Sequence, residues 1–234
     1  MKTLIVTPTK REAGALGSRA RAFVCGAGPS AFETLSAELR RARPKLVVLS
    51  GFCGGLDPSL EAGSVILGRQ AAHGEQPVLS PDRFLIEDVR KHLHTTGLPF
   101  VFSKLLTVDE PVATRDAKRD LWNLHGAGGV DMETYHAVRA CVAANVRWLA
   151  VRVVIDGANL NLPASLRSWS GEHDETRIRA RSARNPAEWP AYLRLGLRYP
   201  RAKAALKTAT VRVVRGAQAA RNVETLDLLE VAPR

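Results

Sequence analysis

Residues 45–58 read KLVVLSGFCGGLDP, an apolar run that leads directly into a cluster of glycines. The segment Lys45–Ser50 is short, rich in branched apolar residues and uncharged after its first position, which predicts a buried strand. Glycines directly after such a strand let the backbone approach a ligand and expose N–H groups to it. The pattern is neither GxGxxG nor a Walker loop, so it supports neither dinucleotide nor ATP binding. Taken alone, it predicts a tight glycine turn.

Outward from this segment, short apolar runs alternate with longer segments of helical period. This alternation predicts an α/β domain with a largely parallel sheet. The predicted strands are Thr3–Thr7, Ala22–Cys25, Lys45–Ser50, Ser64–Gly68, Phe100–Leu106 and Trp148–Ile155. The predicted helices are Arg11–Leu16, Ser30–Arg41, Pro81–His94, Thr114–Leu124 and Thr134–Ala144. Ser30 and Thr114 are expected to be N-caps, and Pro44 is expected to end the second helix.

The charge of the chain is unusual and unevenly distributed. The 234 residues carry a net charge of +11, which argues for an anionic partner such as nucleic acid, anionic lipid or a phosphorylated ligand. Composition shifts near Pro163, so we expect a core over residues 1–163 and a basic helical extension over residues 164–234. Within the extension, residues 177–221 hold twelve Lys or Arg and one acid, Glu188. Its Pro-Ala-Glu and Tyr-Pro-Arg steps predict the starts of two C-terminal helices.

Cysteines, histidines and the N-terminus indicate the compartment and exclude some sites. The three cysteines (Cys25, Cys53 and Cys141) are scattered, which is typical of reduced thiols in a cytosolic protein. The six histidines are dispersed, without HxxxH or His-Cys spacing, so we predict no metal site. No apolar stretch approaches the roughly 20 residues that span a bilayer, and the N-terminus does not look like a signal peptide. We expect a cytoplasmic protein, at most peripheral at a membrane.

Three acids are placed where a ligand of an α/β sheet would bind. Glu12 follows the first strand, Glu133 opens a helix, and Asp156 ends the most apolar strand, VRVVID. Ligands of open α/β sheets lie at the carboxyl ends of the strands. There a carboxylate can accept hydrogen bonds from vicinal ribose hydroxyls, orient a water or hold a proton for a leaving group. One such acid would be a helix cap or a solvated loop residue; three together favour a site.

The motifs together resemble the superfamily of purine nucleoside phosphorylases and methylthioadenosine/S-adenosylhomocysteine nucleosidases. The resemblance runs from Met1 to about Pro163 and is carried by segments in this order: Glu12, GAG at 26–28, GFCGGL at 51–56, VDME at 130–133 and RVVID at 152–156. It implies a three-layer αβα fold with a mixed, largely parallel central sheet. The segment DEPVAT at 109–114 and the Arg-rich tail look most like the hopanoid-associated phosphorylases, the adenosylhopane nucleosidases.

The resemblance implies a role for each matching residue. Glu133 looks like the acceptor of the ribose hydroxyls with Met132 under the sugar, and Asp156 like the acid that shares a proton with purine N7. Glu12 matches the nucleosidase carboxylate that orients the attacking water. The base would be framed by Phe52, Cys53, Gly54 and Ile155. No cofactor is implied beyond phosphate as a co-substrate, and a homodimer is compatible with the resemblance.

Departures from the family leave the nucleophile open. Phosphorylases of this kind bind phosphate through an arginine and a serine, whereas the matching places here look to be Leu49 and Phe52. The backbone of Gly26, Ala27 and Gly28 still offers donors to an anion such as phosphate. Glu12 favours water, so we expect hydrolysis of a 5′-substituted adenosine, with phosphorolysis as the alternative. Glu110-Pro111 stands where nucleosidases stack an aromatic ring, which leaves the base open as well.

Two other classes of function compete with an enzyme. The basic tail also suits a nucleic-acid-binding protein, but no RNP motif, zinc module or recognition helix accompanies it. A non-catalytic nucleoside-binding protein would not need a water-orienting acid. The segment YLRLGLRY at 192–199 alternates cations with apolar residues, which favours contact with an anionic membrane about as much as it favours a solvated helix face.

Overall fold

The computed structural model of the protein describes residues 2–17, 21–166 and 185–230. Its strands are β1 (Thr3–Thr7), β2 (Ala22–Val24), β3 (Leu46–Gly55), β4 (Val65–His73), β5 (Val101–Thr107), β6 (Ala127–Asp131) and β7 (Arg147–Asp156). Its α-helices are α1 (Lys10–Ala15), α2 (Ser30–Ala42), α3 (Arg83–Thr95), α4 (Arg115–His125), α5 (Thr134–Ala143) and α6 (Trp189–Glu230). Short 3₁₀ turns lie at Ala164–Leu166 and Pro186–Glu188.

The strands form one mixed sheet centred on β3. Strand β3 pairs in parallel with β1 and β7 and antiparallel with β6, at Gly54 and Gly55. Strands β4 and β5 and strands β5 and β6 are parallel pairs, and β4 runs antiparallel to β7. This arrangement confirms the predicted α/β fold with a mixed, largely parallel sheet. It also brings the carboxyl ends of β1, β3, β6 and β7 together.

Helices cover both faces of the sheet. One buried cluster joins α2 and α5 to residues from β1, β3 and β7, with Leu35 and Val138 fully buried. The other joins α3 and α6 to the opposite face, with Leu93, Leu206 and Val213 fully buried. Each helix therefore packs an apolar face against the sheet, which is how three-layer α/β domains bury their cores.

The predictions for the glycine turn, for strand β6 and for the N-cap of α2 were wrong. The predicted glycine turn at residues 51–56 is largely strand, since β3 continues through Gly55. Strand β6 was missed because its sequence, AGGVD, has weak strand propensity. Its glycines are needed for close packing: a Cβ on Gly129 would stand 2.8 Å from Ile66 Cδ1. Helix α2 is capped by Pro29 without a side-chain hydrogen bond, so Ser30 is not its N-cap, whereas Thr114 caps α4 as predicted.

The C-terminal region contains one long helix where two were predicted. Helix α6 begins at Trp189, directly after the 3₁₀ turn, and continues through Pro200. The Tyr-Pro-Arg step is therefore inside a helix, because the buried face from Ala202 to Ala217 holds the following turns on the sheet and outweighs the cost of an internal proline. Among the described helices, none combines the length and the apolar character that a membrane crossing requires.

Candidate active site

A cavity of about 530 Å³ opens at the carboxyl ends of β1, β3, β6 and β7. Its wall includes every residue that the sequence analysis placed at the sugar, the base or the reaction: Glu12, Phe52, Cys53, Gly54, Met132, Glu133, Ile155 and Asp156. The wall does not include Gly26, Ala27 or Gly28, and the N–H of Gly26 donates to the carbonyl of Pro8. The fold thus gathers the three acids and leaves the proposed anion turn outside the cavity.

Glu12 is held in place by the start of α1. Thr9 caps the helix and accepts the N–H of Glu12, while Glu12 Oε2 accepts the backbone N–H (3.0 Å) and the hydroxyl (2.7 Å) of Thr9. This reciprocal arrangement is a capping box. The N–H of Phe52 donates to Glu12 Oε1 at 2.7 Å. Burial raises the pKa of Glu12, against the lowering effects of Arg152 and of these hydrogen bonds.

Arg152 is a buried cation that lies among three carboxyl groups, those of Glu12, Asp131 and Glu133. Its Nε lies 2.9 Å from Asp131 Oδ2, and both Nε and Nη2 donate to Thr134 Oγ1. Burial lowers the pKa of Arg152, but Asp131, Glu133 and Glu12 together outweigh this effect and raise it. Gly51 is required beside it, because a Cβ there would stand 2.0 Å from Arg152 Nη1.

Asp131 anchors the turn that presents Glu133. Its Oδ1 accepts the backbone N–H groups of Glu133 and Thr134 and the hydroxyl of Thr107, at 2.9 to 3.2 Å. Burial, with the nearby charges of Asp131 and Glu12, raises the pKa of Glu133 to about 8, although Arg152 opposes the shift. One cation therefore lies among three buried carboxyl groups, and Glu133 keeps its proton up to a pH of about 8.

Asp156 has a different partner, which the sequence analysis missed. Lys118 of α4 is fully buried, and its Nζ donates to Asp156 Oδ2 at 2.5 Å. The same ammonium donates to the carbonyls of Gly157 (3.0 Å) and Leu160 (3.2 Å). Burial raises the pKa of Asp156, and Lys118 partly offsets that rise.

A sequence signal for Lys118 existed. Lys118 lies three and four residues before Leu121 and Trp122, which pack in the small cluster at this end of the sheet. A lysine at that spacing is on the buried face of its helix. Because a buried lysine requires a partner, its position should have pointed to a buried carboxylate.

The start of α6 covers the cavity and was also missed. Tyr192, Leu195, Gly196 and Tyr199 contribute to the wall. The rings of Tyr199 and Phe52 are in contact at 5.8 Å, and the guanidinium of Arg11 lies 4.3 Å from the Tyr199 ring centroid. The hydroxyls of Tyr192 and Ser165 are hydrogen-bonded at 2.6 Å, which ties α6 to the loop after β7.

The cysteines are free thiols, as the sequence predicts. All three are buried, and burial raises the pKa of Cys25 to about 12 and that of Cys53 well above its usual value. A buried thiol with a raised pKa is a poor nucleophile. Cys53 therefore contributes shape to the cavity wall, and the carboxyl groups contribute the chemistry.

The comparison with protein families agrees with this geometry. The model described as "Phosphorylase superfamily" matches residues 8–185. The chain belongs to the phosphorylase superfamily. This membership confirms the prediction of an enzyme of the nucleosidase or nucleoside phosphorylase type. A comparison with curated proteins finds no match.

Solved structures of several nucleosidases share the fold at low sequence identity. The 5′-methylthioadenosine/S-adenosylhomocysteine nucleosidase of Neisseria meningitidis, in complex with methylthio-immucillin-A, is 16% identical over 92% of this chain and 99% of its own, with a TM-score of 0.68. The Campylobacter jejuni nucleosidase of the same name is 14% identical over 94% and 99%, with a TM-score of 0.69. The AMP nucleosidase of Bacteroides thetaiotaomicron is 19% identical over 65% and 79%, with a TM-score of 0.56.

Proposed function

We propose that the protein hydrolyses the N-glycosidic bond of a purine nucleoside. The observation that carries the proposal is the placement of Glu12, Glu133 and Asp156 around one cavity at the carboxyl ends of the strands. Superfamily membership and the nucleosidase names of its structural neighbours support the same chemistry.

Each acid has a separate part in the proposed reaction. Asp156 donates a proton to purine N7 as the C1′–N9 bond breaks, so the base leaves neutral with the bonding electron pair. Glu133 accepts the ribose 2′- and 3′-hydroxyls, and Met132 packs under the sugar. Glu12 orients the water whose oxygen bonds to C1′ and takes up its proton. Positive charge grows on the ribose in such a reaction, and an ionised carboxylate beside the sugar stabilises it.

We propose water and not phosphate as the nucleophile. Leu49, at the place expected for a phosphate-binding arginine, is an apolar core residue. The N–H of Phe52, at the other place, already donates to Glu12. The test is base release from 5′-substituted adenosines with and without phosphate. Free sugar formed at an unchanged rate supports hydrolysis; strict phosphate dependence with a ribose 1-phosphate product would establish phosphorolysis.

We further propose that the substrate carries an apolar group on its ribose 5′ carbon, as in adenosine joined to a hopane lipid. The cavity is lined by apolar residues of α6 and of the loop after β7, including Leu162, Leu166 and Leu195. On the outside of α6, Trp189, Leu193 and Leu197 are 56%, 64% and 72% exposed. They stand four residues apart, so they share one helix face beside Arg194 and Arg198. Such a face suits the interface of an anionic membrane, where the proposed substrate would reside.

Vesicle binding tests the membrane part of the proposal. We expect sedimentation with anionic vesicles at low salt, release at high salt, and no sedimentation with neutral vesicles, because charge supplies about 1 kcal/mol per cation near the surface. Leu193→Ser with Leu197→Ser should abolish binding. Leu124→Ser, an equally exposed leucine on α4, is the matched control and should bind normally. Equal, negligible binding to both vesicles by the folded protein would reject the membrane proposal without touching hydrolysis.

A further inference from the structure

A second cluster of polar side chains lies beside the cavity. It joins His73 at the end of β4, Asp109 in the segment after β5, and His136 in the first turn of α5. One ligand atom from each residue lies within 4.8 Å of the other two. Pairing of β4 with β5 sets His73 opposite Thr107, two residues before Asp109, and α5 brings His136 to the same place. The prediction of no metal site rested on local spacing, whereas these residues meet only in the fold.

His136 is the unusual member of this cluster. It is buried, and its Nε2 has no hydrogen-bond partner among the described residues. The ring centroids of His136 and His73 are 5.0 Å apart. The ring of Tyr135 stacks on that of His73, with 5.5 Å between centroids. A buried polar atom without a partner costs free energy, so this nitrogen calls for a bound water or ion. His73 Nε2 lies 3.1 Å from Asp109 Oδ1, which places a carboxylate beside the two imidazoles.

We propose that His73, Asp109 and His136 bind one divalent transition-metal ion of the zinc class. Two imidazoles and one carboxylate suit Zn²⁺, Co²⁺ or Ni²⁺, whereas Mg²⁺ and Ca²⁺ prefer oxygen ligands alone. Ligand atoms around tetrahedral zinc are roughly 3.3 Å apart. The His73–Asp109 pair already meets that spacing, and His136 requires an approach of no more than about 1.5 Å. Asp109 is 69% exposed, so its side chain is free to move toward His136, and closing the gap between the imidazoles requires rotation of His73, which is 22% exposed.

The ion would brace one wall of the cavity. Asp109 lies between Val108 and Pro111, both of which line the cavity. His136 follows Glu133 by three residues, so the ion would join the segment after β5 to the helix that begins beside the ribose acid. Its role is structural: the three protein ligands connect β4, the segment after β5 and α5. The proposal is independent of which nucleoside the enzyme cleaves.

Cobalt binding to the tag-free, chelator-treated protein tests the site. We expect one Co²⁺ per chain, visible as d–d absorption, and its displacement by Zn²⁺. Each of His73→Ala, Asp109→Ala and His136→Ala should weaken binding at least about 100-fold, since even loss of a group that supports a ligand costs 10- to 100-fold. Zn²⁺ should also raise the Tm of the wild-type protein but not that of Asp109→Ala.

The control is His94→Ala, which removes an exposed histidine on α3 and should leave binding unchanged. If His136→Ala does not fold, Co²⁺ binding by Asp109→Ala, at an exposed position, and by His73→Ala, at a half-buried one, tests the proposal. Absence of Co²⁺ binding by the wild-type protein, or equal binding by all the variants, would overturn the proposal.

Discussion

Two buried groups of charge meet at the cavity, and they are balanced differently. Around Arg152 lie three carboxyl groups, those of Glu12, Asp131 and Glu133, whereas Asp156 is paired with Lys118, and the charge of Arg198 also lowers its pKa. Burial raises the pKa of an acid in both groups, so burial does not distinguish them. The ratio of cations to acids does. In the group around Arg152 the crowded acids hold a proton on Glu133, and in the other group the contact with Lys118 fixes the orientation of Asp156.

Removing the acid of the paired group should have the largest effect. Asp156→Asn abolishes proton donation to the leaving base, so kcat should fall by about 10²- to 10⁴-fold with little change in KM. Base release under single-turnover conditions measures it. Asp116→Asn, an exposed aspartate on α4, is the control and should be fully active. Near-normal turnover by Asp156→Asn would remove the general acid from the mechanism.

Removing the cation of the same pair should act on stability. Lys118→Met leaves Asp156 buried without its partner, which should lower the free energy of unfolding by about 3–5 kcal/mol. Adding Asp156→Asn removes the orphaned charge and should restore most of that loss. Denaturant unfolding near pH 8 measures both, with the exposed Lys91→Met as control. Equal losses in the single and double variants would show that packing and not charge pairing decides stability here.

The group around Arg152 should make the free energy of unfolding depend on pH, which is a smaller effect than the two above. Because the pKa of Glu133 is raised from 4.5 to about 8, the folded state keeps a proton that the unfolded state has lost across this interval. The stabilising effect is complete below pH 4.5 and is lost as pH rises through about 8. The wild-type protein should therefore lose free energy of unfolding between these pH values. Glu133→Gln cannot titrate at this position, so it should lose less.

Urea unfolding at several pH values measures this difference. The exposed Glu75→Gln should follow the wild-type curve throughout. A constant difference between Glu133→Gln and wild type across the interval would mean that Glu133 is ionised in the folded protein, and that Arg152 outweighs the other acids.

The parts of the site that could be predicted are those encoded locally. Glu12 follows the first apolar run and Asp156 ends the most apolar one, and a strand end is visible in the sequence. Strand β6 was not visible in the sequence. It contains glycines because side chains of distant strands, such as Ile66 and Cys53, leave no room for a Cβ. Lys118 was overlooked, although Leu121 and Trp122 mark the buried face of its helix, because its carboxylate partner lies 38 residues away. Long-range packing, which the sequence pattern does not contain, decided both.

Helix α6 consists of two stretches with different attachments to the protein. Its first turns, from Trp189 to Tyr199, lie over the cavity and remain partly exposed, while the fully buried stripe begins at Ala202. Pro200 lies at the boundary and has no N–H with which to continue the helical hydrogen bonding. Local unfolding of the first stretch therefore costs much less than unfolding of the second. The cover of the cavity is therefore attached to the protein less firmly than the stretch that packs on the sheet.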